Sequence, residues 1–177
     1  MKNLLSYDEA LTRLLAGATP VRDTESVPTQ AAAGRVLAAP LVSTLDVPPL
    51  DNTSMDGYAV RCADVPASGT RLAVAQRIPA GSVGHTLAPG TAARIFTGAP
   101  LPAGADAVVM QELCAVEGGA VTINHVPRPG EWIRRRGEDI AAGAEVLAAG
   151  TRLTAAHVGV AASVGAARLT VFRRLRV

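Results

Sequence analysis

The sequence predicts a mixed α+β chain that is mainly β, with a small β-barrel or coiled-sheet subdomain set between two α+β end segments. Three observations lead there. Between Tyr58 and about Val126, apolar runs of strand length recur at 58–61, 71–76, 92–96, 107–111, 113–117 and 120–125, each bounded by turn residues. No helical pattern of crossover length separates them, which disfavours a parallel βαβ sheet. Helical spacing is confined to stretches near the two ends, after Ser6 and after Thr154. If those ends pack together, the middle subdomain is an insertion.

The end elements carry their own signals. Ser6 and Glu9 stand three apart ahead of Leu11, Leu14 and Leu15, a capping-box start to an amphipathic helix closed by Gly17, a packing element rather than a catalytic one. After the polar stretch 23–26, residues 30–33 fit a helical turn ended by Gly34. Residues 35–43 then read as extended, with Pro40 favouring an edge. Asp46-Val47-Pro48-Pro49 is a stiff connector, because a residue before proline is pushed out of the helical region. The boundary falls there, giving an elongated α+β subdomain from 1–47 and 127–177, and a β subdomain from 48–126.

Within the β subdomain, Glu117-Gly118-Gly119-Ala120 is a hairpin turn whose glycines accept positive φ. Beyond it, Gly143 and Gly150 bracket a short strand around Val146 and Leu147, Thr154 caps a helix over 155–164 that stops at Gly165, and 169–172 is a strand. His157 has no second His or carboxylate at i+4, so it reads as a surface or packing residue, not a ligand.

With 177 residues and 49% hydrophobic side chains, the chain can bury a core of one ordinary domain or two small ones. Only 3% are aromatic, so Ala, Val and Leu must fill it. A net charge of +2 is too small to imply nucleic acid, and the arginines lack interleaved aromatics for base stacking. Cys62 and Cys114 lack metal-ligand spacing; with no secretory signal, reduced thiols are the default and a disulfide the alternative. No apolar run has the length of a signal peptide or a bilayer span, so the expectation is a cytoplasmic, soluble protein without a membrane partner.

The richest stretch is PPLDNTSMDGYAVR, from Pro48 to Arg61, a loop opening into a strand. Its Asp, Asn, Ser and Thr side chains can cap a turn, and a carboxylate beside Gly57 can equally face a ligand or a hydrated cation. A second stretch, RIFTGAPLPAGADAVVMQE from Arg94, sets a Thr-Gly turn and a Pro/Gly loop between apolar strands. A third, GEWIRRRGEDI from Gly130, sets three arginines against Glu138 and Asp139. On an extended strand Arg134 and Arg136 would share one side and could clamp an anion, while Arg135 would face the other way and could pair with an acid. A solvated basic face is the competing reading of such a run.

In this order and spacing, the three stretches resemble the N-terminal region of the molybdopterin molybdenumtransferases, the MoeA/gephyrin E-domain family. The resemblance implies insertion of molybdate into adenylylated molybdopterin with release of AMP, assisted by Mg²⁺. It implies site roles for Asp56, Thr97 and Asp139, with Arg134, Arg136 and Gly98 as substrate contacts; the metal ligands stay open, Asp56 acting through a metal-bound water being one option. It also implies a homodimer whose cleft joins this region of one subunit to a pterin-binding α/β domain of the other. That domain would follow Val177, making this chain the first part of a longer protein and inert alone. No phosphate-binding Gly-rich strand–helix loop, Ser/His/Asp set or base-paired nucleophilic Cys is present. The alternative from another class is a non-catalytic β-barrel module binding anions through its arginine face.

Overall fold

The computed structural model describes residues 4–175, so Met1, Lys2 and Asn3, and Arg176 and Val177 at the C-terminus, lie outside the description. The elements in order are α1 (Tyr7–Ala16), β1 (Thr24–Pro28), β2 (Leu41–Val42), β3 (Asn52–Thr53), β4 (Gly57–Val60), β5 (Thr70–Ile78), β6 (Thr91–Ile95), β7 (Ala107–Met110), β8 (Cys114–Glu117), β9 (Ala120–Ile123), β10 (Ile133–Arg134), β11 (Glu145–Leu147), α2 (Ala155–Ser163) and β12 (Arg168–Phe172). The chain divides into two units, Met1–Leu41 with Glu145–Val177, and Val42–Ala144. The second is an insertion in the first. Its boundaries lie at 41/42 and 144/145 rather than the expected 47/48 and 126/127. Residues 43–47 pair with 140–144, the Ser43 N–H reaching the Ala144 carbonyl at 2.9 Å and the Val47 N–H that of Ile140 at 2.8 Å; residues 128–134 pair back as well, the Gly130 N–H reaching the Asp106 carbonyl at 2.7 Å and the Val108 N–H that of Glu131 at 3.0 Å.

In the first unit, β1 and β12 pair antiparallel from Thr24↔Phe172 to Pro28↔Arg168. The polar stretch 23–26 therefore contributes a strand, since its partner supplies the ladder and its alternation places polar side chains outward. Ala32, Leu37, Leu153, Ala161, Leu169 and Val171 make the core. Arg35, 8% exposed, is held by the Glu25 carboxylate at 2.5 Å and the Phe172 carbonyl at 2.7 Å, as a buried cation requires. Both helices begin with capping boxes. In α1 the Ser6 and Glu9 side chains each accept the other's backbone N–H. In α2, Thr154 accepts the His157 N–H, and His157 Nδ1 accepts that of Thr154, which gives this histidine a capping role. The expected packing of α1 is not seen among the described residues: none of its residues is buried, and Leu11, Leu14 and Leu15 face solvent.

The inserted unit is a curled, half-barrel sheet of order β7-β4-β6-β5-β9-β8, antiparallel except at β5–β6 and bulged between Val74 and Gln76. Successive β4 residues serve opposite faces, Tyr58 and Val60 packing with Leu72, Val109 and Val121, and Ala59 with Ile78, Ile95 and Val108. Both faces are covered at β4, β6 and β7, which read as apolar runs, whereas β5 alternates between buried and exposed positions and β8 is mostly exposed. The β8–β9 hairpin turns through Gly118 and Gly119 with φ of 56° and 79°, as their sequence requires.

Candidate functional site

All six candidate residues lie in the inserted unit, and the two-residue strand β3 connects the stretches that carry them. On one side, the Gly98 N–H donates to the Thr53 carbonyl at 2.8 Å and the Thr53 N–H to that of Ala99 at 3.1 Å. On the other, β10 pairs antiparallel through Ile133↔Thr53 and Arg134↔Asn52. The Ser54 N–H adds a 3.1 Å bond to the Trp132 carbonyl. Thr53 itself is buried, its hydroxyl donating to the Met55 carbonyl and accepting the Met55 N–H, so its own side chain is satisfied within the loop. Trp132 adopts φ of 58°, a left-handed conformation that a bulky residue holds only when its surroundings enforce it.

Asp56 precedes β4 and faces the turn that follows β6. Its Oδ1 accepts the Thr97 backbone N–H at 2.8 Å and hydroxyl at 2.7 Å, and its carbonyl accepts the Gln111 N–H at 3.1 Å. The Thr97 N–H, then its hydroxyl, hold this carboxyl below the usual range, with a smaller pull from Arg94. Arg94 also ties down the loop, donating to the Gly57 carbonyl at 2.9 Å and to Gln111 Oε1 at 2.5 Å. Gly98 follows with φ of 81°, which a side chain would oppose.

The three arginines part company. Arg134 Nη2 lies 2.6 and 2.5 Å from the two Asp139 oxygens. Asp139 holds the guanidinium pKa above its usual value, with Glu138 adding to the effect from 3.8 Å. The strand ends at Arg134, and the chain turns through Gly137, so strand alternation does not extend to Arg136. Arg136 reaches Asp46 instead, at 2.6 Å from its Nε. Arg135 pairs with an acid as expected, its Nη1 lying 2.7 Å from Asp51 Oδ2.

Asp56, Thr97 and Gly98 thus form one group and Arg134 with Asp139 another, on opposite sides of β3; Arg136 stands outside both. Asn52, the β3 partner of Arg134, keeps its side-chain oxygen buried with no hydrogen-bond partner among the described residues. No cluster of three or more His, Cys, Asp or Glu able to hold a metal occurs among the described residues.

A family model described as MoeA N-terminal region (domain I and II) matches residues 5–165. The chain belongs to this family. It is 47% identical over 161 residues to a molybdopterin molybdenumtransferase of Nostoc sp., covering 88% of this chain and 37% of that protein. It is 42% identical over 184 residues to molybdopterin molybdenumtransferase 2 of Mycobacterium tuberculosis, covering 100% and 44%. The crystal structure of the molybdopterin biosynthesis moeA protein from Pyrococcus horikoshii OT3 superposes with a TM-score of 0.91 at 37% identity, over 96% of this chain and 46% of that one. The chain therefore spans less than half the length of these relatives.

Within this MoeA N-terminal region, Arg94, Gln111 and Asp51 lie in the motif stretches and Asp46 just ahead of them, but their spacing does not tell which side chain each one meets. Asp51 lies in the quoted loop, but an exposed Asp before Asn and Thr reads as a turn; only the fold brings Arg135 to it. Cys62 and Cys114 are free. Burial pushes their thiols up to about 12 and about 11, with Asp106 adding to the effect at Cys62, so neither is a poised nucleophile.

The carboxylates of Asp46 and Asp51 anchor the arginine segment. Asp46 Oδ1 accepts the Ala142 N–H and Asp51 Oδ1 the Arg136 N–H, both at 2.8 Å. These backbone bonds, followed by the arginine side chains, lower both acids. A group with a depressed folded pKa stabilises the fold above its unfolded value, about 4 for Asp, and loses that contribution as pH falls through the folded value. Acidification below about pH 4 is thus expected to strip exchange protection from the Arg136 and Ala142 amides before those of β4 and β7. Amide hydrogen exchange checks this; protection at 136 and 142 that outlasts the central strands would contradict it.

Proposed function

We propose that this chain is the N-terminal part of a molybdopterin molybdenumtransferase that inserts molybdate into adenylylated molybdopterin and releases AMP. It contributes one wall of the site and is inactive alone. A downstream α/β domain, belonging to the other subunit of a homodimer, supplies the other wall. The observation that carries this reading is the stitching of the Asp56–Thr97 and Arg134–Asp139 pairs onto the single strand β3.

The parts fit a site that must hold phosphoryl and oxyanion charge. Asp139 orients Arg134, whose remaining N–H groups are free to meet a substrate oxygen. On the other side of β3, Gly98 keeps the turn beside Asp56 and Thr97 free of a side chain. Arg136, tied to Asp46, would contact substrate only by exchanging that partner. Asp56 uses Oδ1 for Thr97, which leaves Oδ2 for a hydrated cation or a substrate donor. One carboxylate suits Mg²⁺, which keeps several waters and completes its shell with substrate phosphates. When bound, Mg²⁺ would offset phosphoryl charge as AMP leaves. Such chemistry belongs in the cytoplasm, with neither membrane nor nucleic acid as partner; no helix among the described residues is long and apolar enough to cross a membrane.

Activity complementation tests this. Mixing the chain with the separately produced downstream part of such an enzyme is expected to give AMP release that neither piece shows alone. AMP release by this chain alone, or a stable but inactive complex of the two pieces, would overturn the shared site.

A further inference from the structure

The arginines of the 134–136 run are each already matched by a carboxylate, at distances of 2.5 to 2.7 Å. A different pair is not. Arg77 on β5 and Arg94 on β6 are direct register partners in the parallel ladder, and Arg94 is in turn the partner of Tyr58 on β4. Two cations are thereby set side by side across neighbouring strands, an arrangement that disfavours the sheet unless something offsets the repulsion. Phe96 lies two residues beyond Arg94, one past the end of β6. Both guanidinium carbons sit over its ring, Arg77 at 4.5 Å and Arg94 at 4.4 Å from the centroid, and Arg94 is also 5.3 Å from the Tyr58 ring.

The two cations differ in what they have left to offer. Arg94 is largely used, donating to Gly57 and Gln111 and pulling on Asp56. Arg77 is exposed, and its side chain makes no hydrogen bond or ion pair among the described residues. Stacking restricts its rotamers but leaves the N–H donors at the guanidinium edge free, since the ring occupies the face and not the rim. The strand β5 ends one residue later, at Ile78, and β6 ends at Ile95, two residues before Thr97. This pre-ordered, unneutralised cation therefore stands at the end of the sheet that holds Asp56 and Thr97.

We propose that Arg77, braced by Phe96 and Arg94, is an oxyanion-binding residue for a phosphate group of a diphosphate-bearing ligand, adjacent to Asp56 and Thr97. The assignment deepens the transferase reading and rests on it for the nature of the ligand. A bound diphosphate accepts from the free edge of Arg77 and relieves the repulsion between the two guanidinium groups. The Phe96 ring offsets part of that repulsion, and the anion offsets more of it.

The test uses inorganic pyrophosphate and molybdate as separate probes, titrated onto the chain while arginine Nε–Hε signals are followed by NMR, with melting temperature measured in parallel. Pyrophosphate is expected to shift the Arg77 signal, and Arg77→Gln to weaken its binding about tenfold. The same substitution should leave the melting temperature unchanged or raise it, because it removes a like-charge neighbour. Arg71→Gln, an equal charge loss elsewhere on β5, should leave affinity unaltered. Unchanged pyrophosphate affinity in Arg77→Gln, an equal loss in Arg71→Gln, or a response to molybdate alone would overturn the proposal. Binding is read without catalysis, so failed complementation with intact Arg77-dependent binding would count against the transferase reading and not against this site.

Discussion

Replacing Gly57 with alanine is expected to unfold the inserted unit. The added Cβ would stand 2.0 Å from the Val109 carbonyl oxygen, 2.9 Å from the carbon of that carbonyl and 3.1 Å from the Met110 Cα. All three are backbone atoms of β7, so no rotamer change relieves the clash. Gly57 does not have positive φ; its glycine is demanded by close approach. β4 cannot retreat, because it pairs with β6 on its other edge through Gly57↔Ile95. Overpacking of this kind costs about 3 kcal/mol or more, a large share of the roughly 5–15 kcal/mol that holds a domain together. Urea or thermal unfolding reads the loss directly. A variant melting within a few degrees of its parent would show that β4 and β7 can separate at this point.

Asp56→Asn carries the largest expected functional effect with little structural one. The asparagine Oδ1 can accept the same N–H and O–H from Thr97, and the Asp56 carbonyl still accepts from Gln111, so the turn should survive. What disappears is the negative charge on an oxygen free to meet a cation or a substrate donor. In the full-length protein, AMP release is expected to fall on the order of a hundredfold, the scale on which charge-stabilising groups act in enzymes. The melting temperature should change little. Parallel losses of activity and stability would instead make Asp56 a fold residue.

The sequence is legible wherever one or two neighbouring residues settle a conformation. Ser6 with Glu9 and Thr154 at the start of α2 announced caps, and Gly118-Gly119 announced a hairpin. β4, β6 and β7 show in the sequence because burial on both faces leaves apolar runs, and β5 and β9 because alternate positions are buried. β1 was hidden by its polar side chains, since an edge pairing with β12 requires few apolar positions. β3 and β10, two residues each, are too short to have a period at all. Those two strands are the ones that gather the candidate site. The Arg134, Arg135 and Arg136 side chains illustrate the same limit, because the alternation argument holds only while the strand continues, and it stops at the first of them.

By itself, the order of the PPLDNTSMDGYAVR, RIFTGAPLPAGAD and GEWIRRRGEDI stretches determined the family and named Asp56, Thr97, Arg134 and Asp139 as the residues to inspect. Tertiary structure alone decided which acid meets which arginine, that Asp56 answers to Thr97, and that Arg77 stands beside Arg94 on one ring. The division is physical. Caps, turns and strand propensities are set by residues a few positions apart, whereas these contacts join residues up to 90 positions apart, through strand pairings whose register the inserted unit sets only when it folds.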